Sequence, residues 1–234
     1  AAERVRSDRS SVGRRQGGSA GASAGLPDPA VLVEASRSFD VRAVEDCLDA
    51  AFAAAQFEYV IDVWLTAALA ELGRAWADGD LDIAQEHFIS AAVMRRISAA
   101  FDAGGHARGG PRVVAGLAPG AIHEIATLAF ATMLRRAGVR VTYLGANLPI
   151  QSWVRSVRAI RPDAVVVGAP RTSDAQAAAE VANALREAEP STAVYVGGAG
   201  AGADRIPDGT TLAEAANWLA DALVEVPARS GVSG

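Results

Sequence analysis

The sequence is poor in the residues on which several common kinds of site depend. Cys47 is the single cysteine among 234 residues, so an internal disulfide and a cysteine-ligated zinc cluster are both excluded. No uninterrupted apolar run approaches the roughly 20 residues that a membrane-spanning helix needs, and the N-terminal stretch lacks the apolar core of a signal peptide. We therefore expect a soluble, cytoplasmic protein that does not enter a membrane.

Lysine is missing altogether, because all 22 basic residues are arginines, and 27 acidic residues give a formal net charge of −5. This negative balance disfavours direct DNA binding by the chain as a whole. The phosphate loop, the GxSxG elbow and the HExxH zinc motif are absent too. We therefore expect a binding or signalling protein, not an enzyme.

The residues that are present divide the chain into five segments. Residues 1–27, rich in Gly, Ser, Ala and Arg, predict a disordered arm or linker. Residues 28–104 place apolar residues at three- and four-residue intervals, which predicts a four-helix bundle. A Gly-rich linker follows at 105–111, then alternating strand and helix patterns over 112–227, and a flexible tail over 228–234.

The second large segment has the pattern of a parallel sheet. Its strand candidates are residues 112–118, 139–145, 163–169 and 193–199, and helical stretches separate them. This alternation predicts a Rossmann-like (flavodoxin-like) α/β domain with helices on both faces of the sheet. Ligands of such sheets bind beyond the carboxyl ends of the strands, so we expect a site in the loops that follow them.

Two histidines lie where they could carry chemistry, since a neutral imidazole is a good metal ligand. His123 follows the first predicted strand, and it is either a ligand at the lip of the sheet or an exposed residue at a helix N-terminus. His87 follows Glu86 in the helical pattern over residues 81–101 and shares a face with apolar residues such as Ile83. We predict an apolar environment for His87, where a hydrogen-bonded core histidine is the alternative. His106 lies in the Gly-rich linker and is assigned no role.

A helical hairpin links Trp76 to the Glu86–His87 pair. Trp76 lies near the end of the helical pattern over residues 59–79. Gly79 separates this pattern from the next one, over residues 81–101, and Asp80 is the predicted N-cap of that next helix. Such a hairpin can bring a tryptophan and an acid–histidine pair together across a cavity.

A double glycine, Gly197-Gly198, ends the last predicted strand. It would let a flat or nucleotide-like group approach the backbone closely. By itself the pair is a weak signal, and its place after the last strand is not that of the GxGxxG fingerprint.

Together these features resemble the cobalamin-binding module of B12 photoreceptors of the CarH type, over roughly residues 35–227. The most specific element is Trp76 followed, after nine residues, by Glu86-His87, which matches the W-x9-EH motif of that family. Ordinary corrinoid proteins generally lack this motif. The resemblance implies adenosylcobalamin as the cofactor, with Trp76 beside the adenosyl group and Glu86 hydrogen-bonded to it. His87 would bind the cobalt face that is vacated when light cleaves the cobalt–carbon bond.

The resemblance also implies the lower side of the site. His123 would be the lower axial ligand of cobalt, and the displaced dimethylbenzimidazole tail would lie beside the double glycine. The further cofactor-binding positions that it implies are Gly120, Ile122, Gly145, Gly168, Ala169, Pro170, Gly197 and Gly198.

The chain departs from the family around this lower histidine. The usual D/E-x-H-x-x-G reads Ala121-Ile122-His123-Glu124-Ile125-Ala126 here, so the acid that orients the histidine and the glycine that admits the corrin are both alanines. The serine and threonine usual after the third strand appear as Gly168 and Pro170. Loss of such an orienting partner weakens ligation about 10- to 100-fold unless another group replaces it.

The function implied by the resemblance is a light sensor that binds adenosylcobalamin and changes conformation or assembly, controlling a transcriptional or other output. It implies a homo-oligomer and an output domain or partner outside these residues, since a winged-helix module reads DNA in that family. Two alternatives remain open. One is a corrinoid methyl-carrier subunit of a methyltransferase, and the other is a regulatory module that binds another tetrapyrrole, such as a bilin, beside or instead of cobalamin.

Overall fold

The computed structural model describes residues 25–105, 107, 109–202, 206 and 211–225. The tail expected over 228–234, His106 and all but the last three residues of the arm expected over 1–27 lie outside these described residues.

The N-terminal part is a bundle of four helices, as predicted. Its third helix is continuous but changes its winding, because a π-helical segment separates two α-helical pieces. The helices are α1 (Ala30–Arg37), α2 (Val41–Ala54), α3 (Phe57–Tyr59) continuing through the π-helical segment (Val60–Leu65) into α4 (Thr66–Ala77), and α5 (Ile83–Ala103).

The N-terminus of α5 corrects one prediction. Asp82, and not Asp80, is its N-cap: the Asp82 carboxylate accepts from the Gln85 backbone N–H, and the Gln85 side chain accepts from the Asp82 N–H, each at 2.8 Å. This reciprocal capping box satisfies two backbone donors at the helix end. Asp80 instead forms an exposed ion pair with Arg37 at 3.4 Å.

The C-terminal part is the predicted Rossmann-like domain. Its four strands are all parallel in the order β2-β1-β3-β4, which matches the flavodoxin-like arrangement. The elements are β1 (Arg112–Leu117), α6 (Ile125–Arg136), β2 (Arg140–Tyr143), α7 (Ile150–Ile160), β3 (Ala164–Gly168), α8 (Ala175–Ala188), β4 (Ala193–Gly197) and α9 (Leu212–Glu225), with a 3-10 turn (Thr172–Asp174) before α8.

The sheet divides the apolar core into two parts because successive strand residues face opposite sides. Val113 and Ala115 belong to a core that runs without a break through α6 and α9 into the bundle. Val114 belongs to a second core, with Trp153 of α7 and Leu185 of α8, on the far face. The bundle is therefore packed onto one face of the α/β domain.

Polar contacts join the bundle to the α/β domain beside this shared core. Asp62, in the π-helical segment, accepts hydrogen bonds from the backbone N–H groups of Leu212 and Ala213 at the start of α9, both at 3.0 Å. Glu58 of α3 pairs with Arg136 at the end of α6, with 2.7 Å between Oε1 and Nε. None of the described helices is both long and apolar enough to cross a membrane.

Candidate cofactor site

The carboxyl ends of the strands define where a ligand fits in this sheet. The chain runs from β1 outward to β2 and then crosses back to β3 on the other side of β1, so the order of strands reverses between β1 and β3. Crevices at such a switch point are the usual ligand sites of open α/β sheets. The loop after β1, which carries His123, and the loop after β3, which begins at Ala169, lie on the two sides of it.

A tight turn sets the conformation of the His123 loop. The N–H of Ala121 donates to the carbonyl of Ala118 at 3.1 Å, and Gly120 has a φ of +80°. Pro119 followed by a glycine with positive φ is the signature of a type II turn. His123 and Ile122 then project into solvent, and Ile122 is 64% exposed.

A side-chain hydrogen bond holds the chain just after His123. The hydroxyl of Tyr143, at the end of β2, donates to Oε2 of Glu124 at 2.9 Å. Burial of Tyr143, and then this hydrogen bond to a carboxylate, raise the pKa of the phenol well above its usual value. The phenol therefore stays protonated and remains a donor to Glu124.

The residues expected above the cofactor lie at the hairpin between α4 and α5. Trp76, in the last turn of α4, is 55% exposed. In the first turns of α5, Nδ1 of His87 lies 2.6 Å from Oε2 of Glu86, whose other oxygen accepts from the Ser90 hydroxyl at 2.6 Å. The structure thus forms the acid–histidine pair and places the tryptophan at the end of the preceding helix.

The prediction that His87 points into an apolar environment within the fold is wrong. Its side chain is 70% exposed, and Ile83, one turn earlier on the same face, is 65% exposed. The bundle is packed instead by the opposite stripe of α5, which contains Ile89, Val93 and Ile97. An apolar face with a histidine on it is left open beside the carboxyl ends of the strands.

Electrostatics connect this face to the loop after β1. Burial raises the pKa of Glu86, but the hydrogen bonds from Ser90 and His87 outweigh it, and the charges of His87 and His123 lower the pKa further. The net pKa of Glu86 lies below its usual value, so the carboxylate is ionised at neutral pH. His123 therefore lies near enough to Glu86 for its charge to act on the carboxylate.

The glycines expected around the cofactor differ in how much space surrounds them. An added Cβ would meet nothing within 4 Å at Gly120, an atom of Glu124 at 3.6 Å at Gly145, and an atom of Ile206 at 3.9 Å at Gly197. Gly120 is therefore open to a neighbouring group, whereas Gly145 and Gly197 have room for a methyl group in ordinary van der Waals contact with the chain.

Two other glycines are closely packed by the chain itself. A Cβ at Gly168 would lie 2.4 Å from Oγ1 of Thr127, and one at Gly198 would lie 2.4 Å from the carbonyl oxygen of Ala169 and 3.1 Å from Pro170. A tail inserted beside Gly198 would therefore have to displace the loop after β3.

The predicted residues lie in two groups, with Trp76, Glu86 and His87 on the bundle and His123 with its neighbours on the sheet. Sequence reasoning missed three contacts that hold these groups, made by Ser90 to Glu86, by Tyr143 to Glu124, and by Asn147, whose Oδ1 accepts from the Gly120 N–H at 2.7 Å. Only Ser90, four residues after Glu86 on the same helix, could have been found from spacing.

In the part of the chain that the structure describes, no three His, Cys, Asp or Glu side chains cluster as a metal site.

Comparison with known proteins identifies both the bundle and the α/β domain as B12 binding domains. Two family profiles described as B12 binding domains match it, one over residues 30–100 and one over residues 111–207. The chain is 34% identical to the HTH-type transcriptional repressor CarH of Myxococcus xanthus over 174 residues. These residues are 73% of this chain and 57% of CarH. It is 35% identical, over 157 residues, to the repressor CarA of the same organism, which is 66% of this chain and 52% of CarA.

A solved structure shares the fold. The monomethylamine corrinoid protein of Methanosarcina barkeri superposes with a TM-score of 0.66 at 19% identity, covering 82% of this chain and 96% of that one. Identity this low establishes the shared arrangement of bundle and sheet and nothing finer.

The two family matches define the chain as a B12-binding protein, and the fold gives it a helical bundle and a Rossmann-like domain. It belongs with CarH and CarA as a cobalamin-binding module of the CarH type. The chain spans about half the length of these two relatives.

The residues present fit a corrin ring between the two groups. Ile83 and His87 on α5 and His123 on the loop after β1 are all exposed and accessible to a ligand. Beside His123, Gly120 leaves open space for a neighbouring group.

Proposed function

We propose that this chain is the light-sensing module of a cobalamin-dependent transcriptional regulator, and that it uses adenosylcobalamin. The observation that carries the proposal is the open face of α5, on which His87 stands with its Nδ1 bound to Glu86 opposite the His123 loop. When bound, adenosylcobalamin supplies a cobalt–carbon bond that light cleaves.

His87 is prepared to act as a metal ligand. A histidine that donates one ring N–H to a carboxylate presents its other nitrogen, unprotonated and fixed in direction, to a metal. Glu86 provides that carboxylate through Oε2, at 2.6 Å from Nδ1. Nε2 of His87 is therefore the atom that would bind an upper cobalt face once the adenosyl group has left.

Trp76 and Glu86 are assigned to the adenosyl group itself. Trp76 leaves more than half of its surface exposed, which costs apolar burial that a bulky upper ligand would recover. Each oxygen of Glu86 accepts one hydrogen bond within the protein, and a carboxylate oxygen has room for a second. Both residues thus retain the capacity to contact a ligand above the ring.

His123 is assigned as the lower axial ligand. It lies at the switch point of the sheet, exposed, between the turn at Gly120 and the anchored Glu124. We expect the tail of the cofactor to lie along Gly197, with Gly168, Ala169, Pro170 and Gly198 around it.

The output follows from the loss of the upper ligand. Without it, the apolar surface of Trp76 and α5 is again exposed to water, at a cost of roughly 25 cal/mol per Å², which can shift a two-state equilibrium. We propose that the bundle then rearranges and changes the assembly of the protein, as a homo-oligomer or with an output partner. Control of transcription comes from the similarity to CarH and CarA, both of which are named as repressors.

The test is to load the protein with adenosylcobalamin in the dark and to record absorbance and size-exclusion profiles before and after green light. We expect retention of the cofactor after desalting, a lit spectrum typical of two imidazole ligands, and a change in assembly. The variant His87→Ala should keep the dark spectrum and lose the lit one. Gln176→Ala, on the far helix α8, serves as the control and should behave like the parent.

Light also cleaves the free cofactor, so the decisive results are the His87-dependent spectrum and the change in assembly. A protein that keeps cobalamin but shows neither would be a corrinoid carrier or a non-photochemical regulator. A protein that loses all cobalamin on desalting would refute the proposal and turn attention to another tetrapyrrole such as a bilin.

A further inference from the structure

The loop that carries His123 is held by a residue from a different loop. Asn147 lies between β2 and α7, and its side-chain Oδ1 accepts a hydrogen bond from the backbone N–H of Gly120 at 2.7 Å. Its own backbone N–H donates to the carbonyl of Ala121 at 3.0 Å. One residue therefore clasps two consecutive residues of the turn that precedes His123.

The backbone of Asn147 is adapted to this contact. Its φ is +52°, in the left-handed region that asparagine adopts more readily than most residues with a side chain. A type II turn such as the one at Gly120 bonds only its first and last residues internally. The N–H of Gly120 needs an acceptor from elsewhere, and Asn147 supplies it.

Position 121 carries no orienting group in this chain. Ala121 is 1% exposed and belongs to the core on the far face of the sheet, with Leu117 and Trp153, and its methyl group cannot accept a hydrogen bond from a histidine. The anchoring of the loop is therefore what the structure offers for setting the orientation of His123.

We propose that Asn147 is the positioning residue that holds His123 toward cobalt, in place of the acid that is missing at position 121. Together with the Tyr143–Glu124 hydrogen bond, it fixes the loop on both sides of the histidine. The inference rests on the proposed role of His123 as the lower ligand.

The test distinguishes the effect of losing the Oδ1 acceptor of Asn147 from the effect of changing its backbone conformation. Asn147→Gly keeps the positive φ and removes Oδ1, whereas Asn147→Asp keeps an acceptor at the same place and is the rescue variant. The protein is prepared with histidine carrying the spin-half isotope of nitrogen and is loaded with cob(II)alamin. Electron paramagnetic resonance then shows cobalt lines split into doublets by a protein histidine, or into triplets by the cofactor's own base.

We expect doublets in the parent protein and in Asn147→Asp. In Asn147→Gly we expect a large loss of the doublet fraction and a cobalamin affinity lower by roughly tenfold, as for other partners that orient a metal ligand. Far-UV circular dichroism and the thermal midpoint show that each variant is folded, and this readout requires no light response.

Different results would refute the role of His123 as a ligand and the role of Asn147 as its positioning residue. If His123→Ala keeps the doublets, another histidine is the ligand and the proposed role of His123 is wrong. If His123→Ala loses them while Asn147→Gly keeps the parent's doublet fraction and affinity, the role of Asn147 is wrong and that of His123 stands. Equal losses in Asn147→Asp and Asn147→Gly would also overturn the claim that the Oδ1 acceptor positions the histidine.

Discussion

The carboxylate of Asp62 lies at the N-terminus of α9, with Oδ1 3.0 Å from the backbone nitrogen of Leu212. Its other oxygen accepts from Ala213 at the same distance, so a side chain of the bundle caps a helix of the B12 domain 150 residues further along the chain. The first N–H groups of a helix have no partner within the helix and carry a partial positive charge. Asp62 satisfies two of them and adds a favourable charge.

Removing this cap should destabilise the protein. We expect Asp62→Ala to lower the free energy of unfolding by about 1 to 2 kcal/mol, because two hydrogen bonds from the helix N-terminus to a charged group are lost, and Asp62→Asn to cost less because its amide keeps one acceptor oxygen. Urea denaturation followed by circular dichroism measures both. Asp221→Ala, an exposed aspartate on α9 itself, is the control, and an equal loss in this variant would remove any special role for Asp62.

The Glu58–Arg136 pair should make stability depend on pH. Burial raises the pKa of Glu58, but the hydrogen bond and charge of Arg136, with a backbone hydrogen bond, bring it below the usual value. A carboxyl group with a lowered folded-state pKa contributes stability above its unfolded-state pKa of about 4.3. That contribution is lost as the pH falls through the folded-state pKa.

The effect is modest because both side chains are partly exposed, at 30% for Glu58 and 43% for Arg136. We expect Glu58→Gln to be less stable than the parent by about 0.5 kcal/mol at neutral pH, with the difference disappearing in acid. Urea denaturation over a pH series tests this. A difference that stays constant with pH would show that the charge of Glu58 is not its source.

Truncating two tryptophans to alanine should change the stability of the protein by very different amounts. Trp64 is 3% exposed, and its Nε1 donates to the carbonyl of Pro27 at 2.6 Å, so Trp64→Ala should cost about 3 to 5 kcal/mol of stability. Trp76 is 55% exposed, so Trp76→Ala should change stability by no more than about 0.5 kcal/mol.

The loss at Trp76 should appear in ligand binding instead. We expect Trp76→Ala to bind adenosylcobalamin more weakly than the parent while its affinity for cyanocobalamin, which has a small upper ligand, is unchanged. Equilibrium titration followed by absorbance measures both affinities. Equal weakening for the two cobalamins would contradict a contact with the adenosyl group.

The α/β order and the four strands were predictable because their patterns are local. Each strand is a short β-branched run whose neighbours are helical, and the parallel order follows from the crossovers. The predicted strand at 163–169 corresponds to β3 at Ala164–Gly168 and is buried along its whole length, as a central strand of a covered sheet should be.

The environment of His87 was not predictable, because α5 is apolar on two faces. Ile83 and Met94 define one stripe and Ile89 and Val93 another, and spacing alone does not tell which of them packs in the bundle. The contact of Asn147 with Gly120 was hidden for a different reason. It joins residues 27 positions apart, which meet only because β1 and β2 are neighbours in the sheet.

The single cysteine should be nearly inert in the folded protein. Cys47 is 5% exposed, and burial, with a smaller contribution from Asp28, raises the pKa of its thiol. The thiolate is the reactive form, so labelling by a thiol reagent should require unfolding. We expect almost no reaction at neutral pH in buffer and complete labelling in concentrated urea, followed by mass spectrometry. Rapid labelling in buffer would mean that α2 opens locally without global unfolding.

Two glycine-to-alanine substitutions should change the stability of the protein in opposite directions. Gly73 lies in α4, and an added Cβ there meets nothing within 4 Å, so Gly73→Ala should stabilise the protein by about 0.5 to 1 kcal/mol through helix propensity. Gly198 has a φ of +103°, and its Cβ would lie 2.4 Å from the carbonyl oxygen of Ala169. Gly198→Ala should therefore cost at least about 1 to 2 kcal/mol from its backbone conformation alone.

Thermal and urea unfolding of both variants measure these differences. A loss in Gly198→Ala clearly larger than this backbone cost would show that the loop after β3 also resists displacement, so a cofactor tail beside Gly198 would bind against that resistance. A loss no larger than the backbone cost would mean that the loop at Ala169 moves aside easily. The same movement would then admit the tail of cobalamin between the ends of β3 and β4.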